Sequence, residues 1–355
     1  MLEIETTPKP GIIYRSLGGI IDFYVFFGDN PAEIIRDYTS AFGRPVMPPY
    51  WALGYQLGND GFENTVEMRD TVYNNILNQV PVDVIHGGIG YMERGLDFTI
   101  DRDNFANLPN QVEIWKSSDV RFIPVLDPAI SASESKNSYS AYSNAVLADV
   151  FVKTPEGRDY LGISRSLLPG ITEIEEKNWD LTKHADVKFP DFFKNSTKNW
   201  WISEIENLHE NLKFDGIWMD VNEPSNFATD KNNLASETNK NRYFNCTESI
   251  NYPNFLPKRY QTDRNIQDSR IFDNTICMDN LHEIDGQQVQ HFDVHSMYGY
   301  SESIATIEAA RKVSNERSLT VSRSTFIGSQ KYSAFKNGCP TAKNCLFGLV
   351  LSGNF

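Results

Sequence analysis

Short apolar segments alternate with amphipathic segments along most of the chain, and this alternation restricts its fold more than any other feature. Between apolar segments, Asn64–Val80 and Asn199–Leu212 carry apolar residues at helical spacing. The segments with near-continuous apolar residues are predicted strands: 51–57, 82–86, 120–126, 214–220 and 318–323. Such strands, joined by helices, are typical of a parallel sheet covered on both faces. The number of units favours an α/β fold of the (β/α)8 TIM-barrel type over an open sheet.

The predicted barrel is interrupted and incomplete. Segments 127–198 and 223–300 are long and rich in polar residues, which predicts loop insertions. A complete barrel takes about 250 residues without insertions. We therefore expect the chain to end before the barrel closes.

A smaller β-rich segment precedes the barrel. Two strand-like runs around Gly18-Gly19, within residues 11–28, predict a hairpin. A helix is predicted next, with Asn30 as its N-cap, Pro31 in its first turn and Gly43 as its stop.

The charge balance restricts the partners. The chain has 47 acidic and 33 basic residues, a formal net charge of −14 at pH 7. Nucleic acid and anionic membranes are therefore not expected as main partners, because both repel an acidic surface. No apolar run reaches the roughly 18 residues of a membrane helix, and the N-terminus has no signal-like segment. A neutral or cationic ligand fits this charge better.

Sequons and cysteines are compatible with the secretory pathway. N-glycosylation triplets begin at Asn195 and Asn245, although such triplets also arise by chance. The four cysteines allow three disulfide pairings: Cys246, Cys277, Cys339 and Cys345. A bridge between Cys246 and Cys277 would close a loop of about 30 residues and stabilise the fold by roughly 3 to 4 kcal/mol.

Polar side chains follow three predicted strands, at the end where TIM barrels carry their active sites. Asp127, Asp220 and Arg323 follow the third, fourth and fifth strands. Asp220 also has Trp218 before it and Glu223 after it, so a short segment offers two carboxylates and a flat ring. Paired carboxylates can act as acid, base or nucleophile. The structural alternatives are a loop-capping Asp and an Arg that only pairs with a neighbouring acid.

Other kinds of site have little support. His291 and His295 have the spacing of a helical metal pair, but the sequence around them alternates like a strand. We predict no metal site and no cofactor. The sequence has no glycine-rich phosphate loop and no Gly-x-Ser-x-Gly elbow.

Five motifs occur in the order found in one enzyme family. The segment Trp218-Met219-Asp220-Val221-Asn222-Glu223 resembles the nucleophile signature of family 31 of the glycoside hydrolases. Four further segments are similar to motifs of that family: Leu126–Ser131, Phe189–Phe193 with Trp200-Trp201, Asp293–Tyr300 and Ser322–Phe326. The chain is most similar to the maltase-glucoamylase and sucrase-isomaltase branch.

The resemblance covers roughly residues 10–338. It implies the end of an N-terminal β-sandwich with a linking helix over 1–48, an incomplete barrel with its insertions over 49–338, and a divergent tail over 339–355. It also implies hydrolysis of α-linked gluco-oligosaccharides with retention of configuration. The implied location is the secretory pathway, outside the cell or on its surface.

Residue roles follow from the same resemblance. Asp220 is implied as the nucleophile and Glu223 as a supporting acid. Cys246 and Cys277 match a cysteine pair of this branch, which favours that disulfide. Substrate contacts are implied for four residues: Arg323, Trp218, Asp127 and Phe189.

The sequence also departs from the family pattern. The family's Asp-Ile-Asp-Tyr-Met motif is replaced by Gly88-Ile89-Gly90-Tyr91-Met92, so both acids are missing. Loss of a carboxylate that accepts a sugar hydroxyl weakens binding by about 1.5–3 kcal/mol. Counted without gaps, Cys339 stands at the position of the general acid/base, and a thiol is a poor proton donor to a glycosidic oxygen. Losing that acid slows hydrolysis by about 10²–10⁴-fold.

Three hypotheses remain from the sequence. The chain is an α-glucosidase-type hydrolase, with impaired activity expected from the departures; or it is a non-catalytic carbohydrate-binding relative; or it is a non-functional truncated product.

Overall fold

The computed structural model describes residues 2–6, 11–16, 22–59, 62–134, 138–164, 185–226, 246 and 275–335. The chain divides into two compact units, Met1–Pro45 and Val46–Phe355.

The first unit contains a two-stranded antiparallel sheet and a helix. Strand β1 (Leu2–Thr6) pairs with β2 (Ile12–Ser16). Helix α1 (Pro31–Phe42) begins where predicted, because the side chain of Asn30 accepts a hydrogen bond from the Glu33 amide at 3.0 Å. It ends at Gly43, whose φ of 114° favours glycine.

The elements of the second unit follow one another as alternating strands and helices. The strands are β3 (Gln56–Asn59), β4 (Val84–Gly87), β5 (Arg121–Leu126), β6 (Ile130–Ser131), β7 (Gly162–Ser164), β8 (Ala185–Lys188), β9 (Gly216–Met219), β10 (Leu281–Ile284), β11 (Gln287–Gln290), β12 (Leu319–Ser322) and β13 (Ala334–Phe335). The helices are α2 (Thr65–Leu77), α3 (Leu108–Ser117), α4 (Ser140–Leu147), α5 (Asn195–Asn211), α6 (His291–Val294) and α7 (Tyr298–Ser314).

Six of these strands form one parallel sheet, in the order β13-β12-β9-β5-β4-β3. Every residue of β4, β9 and β12 is buried, as expected for strands covered on both faces. The sheet is part of a (β/α)8 barrel, so the predicted partial TIM barrel is confirmed. All carboxyl ends of its strands lie on the same side, where the predicted site residues are found.

The helices and the sheet share one hydrophobic core. Helices α5 and α7 are tied together by a buried hydrogen bond from the Trp201 indole to the Thr306 hydroxyl, 2.9 Å long. Trp201 belongs to the Trp-Trp pair of the predicted family motif and is fully buried. Its ring packs edge-on against Phe98 and Phe192, with centroids 5.1 Å apart in each pair.

Both insertions contain ordered structure. Strands β6, β8 and β7 form an antiparallel sheet in the first insertion, and β10 and β11 form a hairpin in the second. The backbones of Lys153 and Leu281 exchange hydrogen bonds of 3.1 and 2.8 Å, which joins the two insertions. A second core cluster, including Tyr160, Phe189 and Cys277, lies between them.

Three local predictions were wrong. Strand β2 pairs with the upstream β1 and not with residues 22–28, because Leu2–Thr6 alternates apolar and polar residues and supplies a partner. The first barrel strand is Gln56–Asn59, while part of the apolar run 51–57 forms a short 3₁₀ turn, Tyr50–Leu53. The stretch His291–Val294, predicted as strand-like, is helical.

The described residues also contain one strand that the sequence did not predict, and their helices were compared with the requirements of a membrane span. Strand β13 was not predicted, since two residues carry no periodic signal. No helix described here combines the length and the apolar character needed to cross a membrane.

Candidate active site

Three of the predicted site residues lie at the same level of the sheet. Each one directly follows the last residue of its strand, and the three strands are adjacent. Leu126 is in register with Met219, and Met219 with Ser322. The residues that follow them are Asp127, Asp220 and Arg323. Their positions are fixed by the ladder: the Asp220 amide donates to the Leu126 carbonyl at 3.0 Å, and the Arg323 amide to the Met219 carbonyl at 3.2 Å.

Arg323 joins the two carboxylates of the nucleophile motif. Its Nε lies 2.7 Å from Glu223 Oε1, its Nη2 3.1 Å from Glu223 Oε2, and its Nη1 3.4 Å from Asp220 Oδ1. Burial raises the pKa of the Glu223 carboxyl, but the hydrogen bonds and charge of Arg323 outweigh burial and lower it. Both Glu223 and Arg323 are therefore charged at neutral pH, and the planar fork holds the loop to the neighbouring strand end.

The turn after Asp220 has an unusual backbone. Val221 has a φ of 47°, a region that β-branched residues rarely adopt, and the Glu223–Pro224 peptide bond is cis. The side chain of the fully buried Asn222 anchors the turn: its Nδ2 donates to the Ser322 hydroxyl at 2.8 Å, and its Oδ1 accepts from the Ser324 amide at 2.8 Å. The sequence analysis gave Asn222 no role, although it lies inside the nucleophile motif.

Two buried carboxyl groups, also missed from the sequence, lie close to Asp127. The Asp127 amide donates to Asp97 Oδ1 at 2.8 Å. Burial, followed by the charge of Asp127, raises the pKa of Asp97 well above its ordinary value. Burial likewise raises the pKa of Glu302, aided by the charges of Asp127, Glu223 and Asp220. Asp220, Glu223 and Asp127 therefore act electrostatically on Arg323, while Asp97 and Glu302 lie on the side of Asp127.

Comparison with known proteins identifies the family. The model of the glycosyl hydrolases family 31 TIM-barrel domain matches residues 45–341, most of the chain. The chain belongs to glycosyl hydrolase family 31. The family predicted from the motifs is thus confirmed.

Curated relatives in family 31 are much longer than this chain. Intestinal sucrase-isomaltase of Suncus murinus is 39% identical over 92% of the chain, which covers 17% of that protein. Probable maltase-glucoamylase 2 of Homo sapiens is 36% identical over 96% of the chain, covering 13% of that protein. Lysosomal alpha-glucosidase of Rattus norvegicus is 30% identical over 95% of the chain, covering 31% of that protein. The chain therefore spans less than a third of these relatives.

Two solved structures have a similar fold. The DNJ-bound glucosidase II alpha subunit matches with a TM-score of 0.64 and 22% identity, covering 87% of this chain and 27% of that one. The family 31 alpha-glucosidase of Bacteroides thetaiotaomicron matches with a TM-score of 0.63 and 23% identity, covering 95% of this chain and 44% of that one.

Two predicted substrate contacts are buried. Trp218 is 4% exposed, and its indole lies edge-on to the ring of His86 with centroids 5.8 Å apart. Phe189 is fully buried in the second core cluster, beside Tyr160. Both rings are therefore largely enclosed by protein in this structure, and Asp127, a third predicted substrate contact, is also only 4% exposed.

The glycines that replace the family 31 acids follow strand β4. Gly88 has an extended backbone, with φ −70° and ψ −179°, which any residue can adopt. Gly90 lies in the 3₁₀ turn Ile89–Tyr91, and a Cβ there would lie 2.8 Å from the Phe62 carbonyl oxygen. The backbone therefore accepts a side chain at Gly88 more easily than at Gly90.

The remaining predicted positions lie outside the strand ends. Cys246 and Cys277 form a disulfide. Asn195 is exposed at the first turn of α5. Cys339 and Asn245 lie outside the described residues. No group of three or more His, Cys, Asp or Glu side chains among the described residues is arranged to hold a metal ion.

Proposed function

We propose that this chain carries the nucleophile side of a retaining α-glucosidase-type active site, with Asp220 as nucleophile and α-linked gluco-oligosaccharides as the substrate class. The proposal rests on the placement of Asp220 and Arg323, each directly after one of two adjacent parallel strands. The Arg323 Nη1 atom lies 3.4 Å from Asp220 Oδ1. Membership of family 31 supports it. The names sucrase-isomaltase and lysosomal alpha-glucosidase among the relatives support the substrate class.

In the proposed first step, an Asp220 carboxylate oxygen forms a bond to the anomeric carbon. The bond from that carbon to the leaving oxygen breaks, the electron pair goes to that oxygen, and the oxygen takes a proton from water because the chain offers no strong general acid. Arg323 keeps positive charge 3.4 Å from the Asp220 carboxylate. Glu223 holds the guanidinium in place, and Asp127 lies at the same level on the next strand. We propose Arg323 and Asp127 as substrate contacts.

We further propose that hydrolysis of ordinary glucosides is impaired. Gly88 and Gly90 supply no carboxylate where the family motif has two. The proposed acid/base position, Cys339, would supply only a thiol. A missing proton donor penalises poor leaving groups most, because an alkoxide must then leave unprotonated. Substrates with good leaving groups are therefore expected to react better than maltose.

The decisive experiment uses 5-fluoro-α-D-glucopyranosyl fluoride, because fluoride leaves without a proton donor. The C1–fluorine bond breaks, fluoride leaves with the electron pair, and an ester bond forms from C1 to Asp220. Mass spectrometry of peptides is expected to place the sugar on Asp220 in the wild type and to find none in Asp220→Asn. Equal labelling of both proteins, or no labelling of the wild type, overturns the proposal.

Non-catalytic carbohydrate binding is the second candidate, favoured by Arg323, because a chain without its proton donor can still contact a sugar through that guanidinium. Calorimetry with the iminosugar 1-deoxynojirimycin separates the two. Binding without covalent labelling selects the second candidate. Labelling at Asp220 selects the first.

We propose a secretory-pathway location, outside the cell or on its surface. The Cys246–Cys277 disulfide and the exposed Asn195 of a sequon support it. We also propose that residues 1–48 are the end of a β-sandwich with a linking helix and that 49–338 belong to the barrel, with a divergent tail after them. Glycosidase treatment of the secreted protein tests Asn195: it should remove a glycan from the wild type that Asn195→Gln lacks.

A further inference from the structure

Asn226 closes the segment 220–226, which we call the nucleophile loop, and its side chain binds both insertions. Its Oδ1 accepts a hydrogen bond from the Ile163 amide at 2.9 Å. Its Nδ2 donates to the Tyr160 hydroxyl at 2.9 Å and to the Thr275 carbonyl at 3.4 Å. Ile163 and Tyr160 lie in the first insertion, and Thr275 lies in the later part of the second. One fully buried side chain therefore ties the end of the nucleophile loop to both insertions.

The partners of Asn226 fix the orientation of its amide group. The backbone N–H of Ile163 can only donate and the carbonyl of Thr275 can only accept, so Oδ1 faces Ile163 and Nδ2 faces Thr275. The Tyr160 hydroxyl accepts the other proton of Nδ2. Neither alanine nor aspartate offers this combination of one acceptor and two donors.

Gly162, in strand β7, makes the approach of Asn226 possible. A Cβ at Gly162 would lie 2.7 Å from Asn226 Oδ1 and 2.8 Å from a ring carbon of Phe189. A glycine inside a strand is typical of a point where another group comes close to the backbone. A side chain at this position would push the Asn226 amide away from β7.

The carbonyl of Pro224 gives the nucleophile loop a second anchor. The Thr275 hydroxyl donates to this carbonyl at 2.9 Å, and both groups are buried. Pro224 and Asn226 are therefore each held by residues outside the loop. Ser225 lies between these two anchored residues, so its position is restricted from both sides.

Ser225 connects the anchored end of the loop with the active-site carboxylate. Its amide donates to the Val221 carbonyl at 2.9 Å, and its hydroxyl donates to Glu223 Oε2 at 3.1 Å. The same carboxylate oxygen accepts a hydrogen bond from Arg323 Nη2 at 3.1 Å. Arg323 Nη1 in turn lies 3.4 Å from Asp220. The contacts of Ser225 thus extend the anchoring of the loop to the guanidinium.

We propose that Asn226 is a positioning residue that, together with Thr275, fastens the nucleophile loop to both insertions. The Ser225 hydroxyl is thereby held against Glu223, and the ion pair of Glu223 with Arg323 keeps its geometry. The effect on reaction at Asp220 rests on the proposed function, whereas the effect on Glu223 does not.

The first test is a ¹³C NMR titration of the Glu223 carboxyl in the folded protein, assigned with Glu223→Gln. Burial raises the pKa of Glu223, whereas Arg323 and the Ser225 hydroxyl lower it. Asn226→Ala should release the Ser225 hydroxyl and so shift the titration to higher pH, as Ser225→Ala should do directly. An unshifted titration in a folded Asn226→Ala protein overturns the proposal.

The second test asks whether Asn226 acts through Ser225. Labelling of Asp220 by 5-fluoro-α-D-glucopyranosyl fluoride should slow about tenfold in Ser225→Ala, and at least as much in Asn226→Ala. The double variant should be no slower than Asn226→Ala alone, because two changes on one path of contacts are not additive. A double variant slowed by the product of the two single effects overturns the path through Ser225.

Thr306→Val is the matched control. It removes another fully buried hydrogen bond, the one that the Trp201 indole donates at 2.9 Å between helices α5 and α7. It should lower the melting temperature but leave the Glu223 titration and the labelling rate unchanged. If labelling slows as much in Thr306→Val as in Asn226→Ala, the effect is general destabilisation and the proposal is wrong.

Thr275→Val is a milder variant for the case that Asn226→Ala does not fold. It removes only the hydroxyl that holds the Pro224 carbonyl. The Glu223 titration should again move to higher pH, and no shift overturns the proposal. Absence of labelling in the wild type removes the proposed function, and the Glu223 titration then decides the role of Asn226.

Discussion

Arg323 donates two hydrogen bonds to the carboxylate of Glu223, of 2.7 and 3.1 Å, across a separation of 100 residues. The third nitrogen of the same guanidinium lies 3.4 Å from Asp220. The ion pair therefore orients Arg323 relative to the proposed nucleophile. Because both partners are about 40% exposed, 42% for Arg323 and 40% for Glu223, it contributes little to stability.

Glu223→Gln should separate the contribution of the ion pair to the orientation of Arg323 from its contribution to stability. The neutral amide cannot accept two hydrogen bonds from the guanidinium, so Arg323 loses its fixed orientation. We expect the free energy of unfolding to change by less than about 1 kcal/mol, while labelling of Asp220 slows at least about tenfold. Chemical denaturation and labelling kinetics measure the two effects.

Glu206→Gln is the control for Glu223→Gln. Glu206 pairs with Lys312 at 2.7 Å between helices α5 and α7, away from the strand ends. It should leave the labelling rate unchanged. A labelling rate in Glu223→Gln equal to the wild-type rate would contradict the orienting role.

Glu302 should make stability depend on pH. Burial raises its pKa in the folded protein above the ordinary value of 4.5, so the folded state binds the proton more tightly than the unfolded state. Its contribution is therefore favourable below pH 4.5 and is lost as the pH rises through the folded pKa. Glu302→Gln keeps the shape without the charge. Relative to the wild type, its melting temperature should rise progressively from pH 4.5 to pH 8, as calorimetry can measure.

The control lies on the same helix. Glu308 is exposed and pairs with Lys198 at 2.5 Å. Glu308→Gln should show no gain that grows with pH. A Glu302→Gln melting curve that parallels the wild type at every pH would contradict a buried, proton-binding Glu302.

Much of the fold was predictable because the barrel strands are buried on both faces. Strands β4, β5, β9 and β12 consist almost wholly of buried residues, which leaves continuous apolar segments in the sequence. The first strand was misplaced because an apolar run such as Trp51-Ala52-Leu53 is equally compatible with a 3₁₀ turn. Strand pairing depends on contacts between residues that are distant in sequence. The register that aligns the strand ends therefore could not be predicted from the sequence.

The site residues that could be predicted from the sequence are those that directly follow a strand. Asp127, Asp220 and Arg323 share that position, and the structure places them side by side. Asp97 and Glu302 lie in a loop and a helix, and only the folded chain brings them to Asp127. Exposure is also a property of the fold, so the sequence could not show that Trp218 is only 4% exposed.

The Cys246–Cys277 disulfide should stabilise the protein through the loop that it closes. The two residues are 31 positions apart, and the chain-entropy relation gives about 3 to 4 kcal/mol for such a loop. Cys246→Ser should lower the free energy of unfolding by this amount, measured by chemical denaturation. Dithiothreitol should destabilise the wild type and leave Cys246→Ser unchanged. Equal stability of the two proteins without reductant would contradict a bridge that constrains the unfolded chain.

Restoring a carboxylate at Gly88 should strengthen sugar binding. The backbone angles of the buried Gly88 are ones that any residue adopts, and an ionised acceptor for a sugar hydroxyl contributes about 1.5–3 kcal/mol. Calorimetry with 1-deoxynojirimycin should therefore show affinity about 10 to 100-fold higher in Gly88→Asp than in the isosteric control Gly88→Asn. Gly90→Asp should lower the melting temperature instead, because its Cβ would lie 2.8 Å from the Phe62 carbonyl oxygen, which is backbone. Equal affinities of Gly88→Asp and Gly88→Asn would show that no sugar hydroxyl reaches the end of β4, and a sugar-binding role for this position would then be wrong.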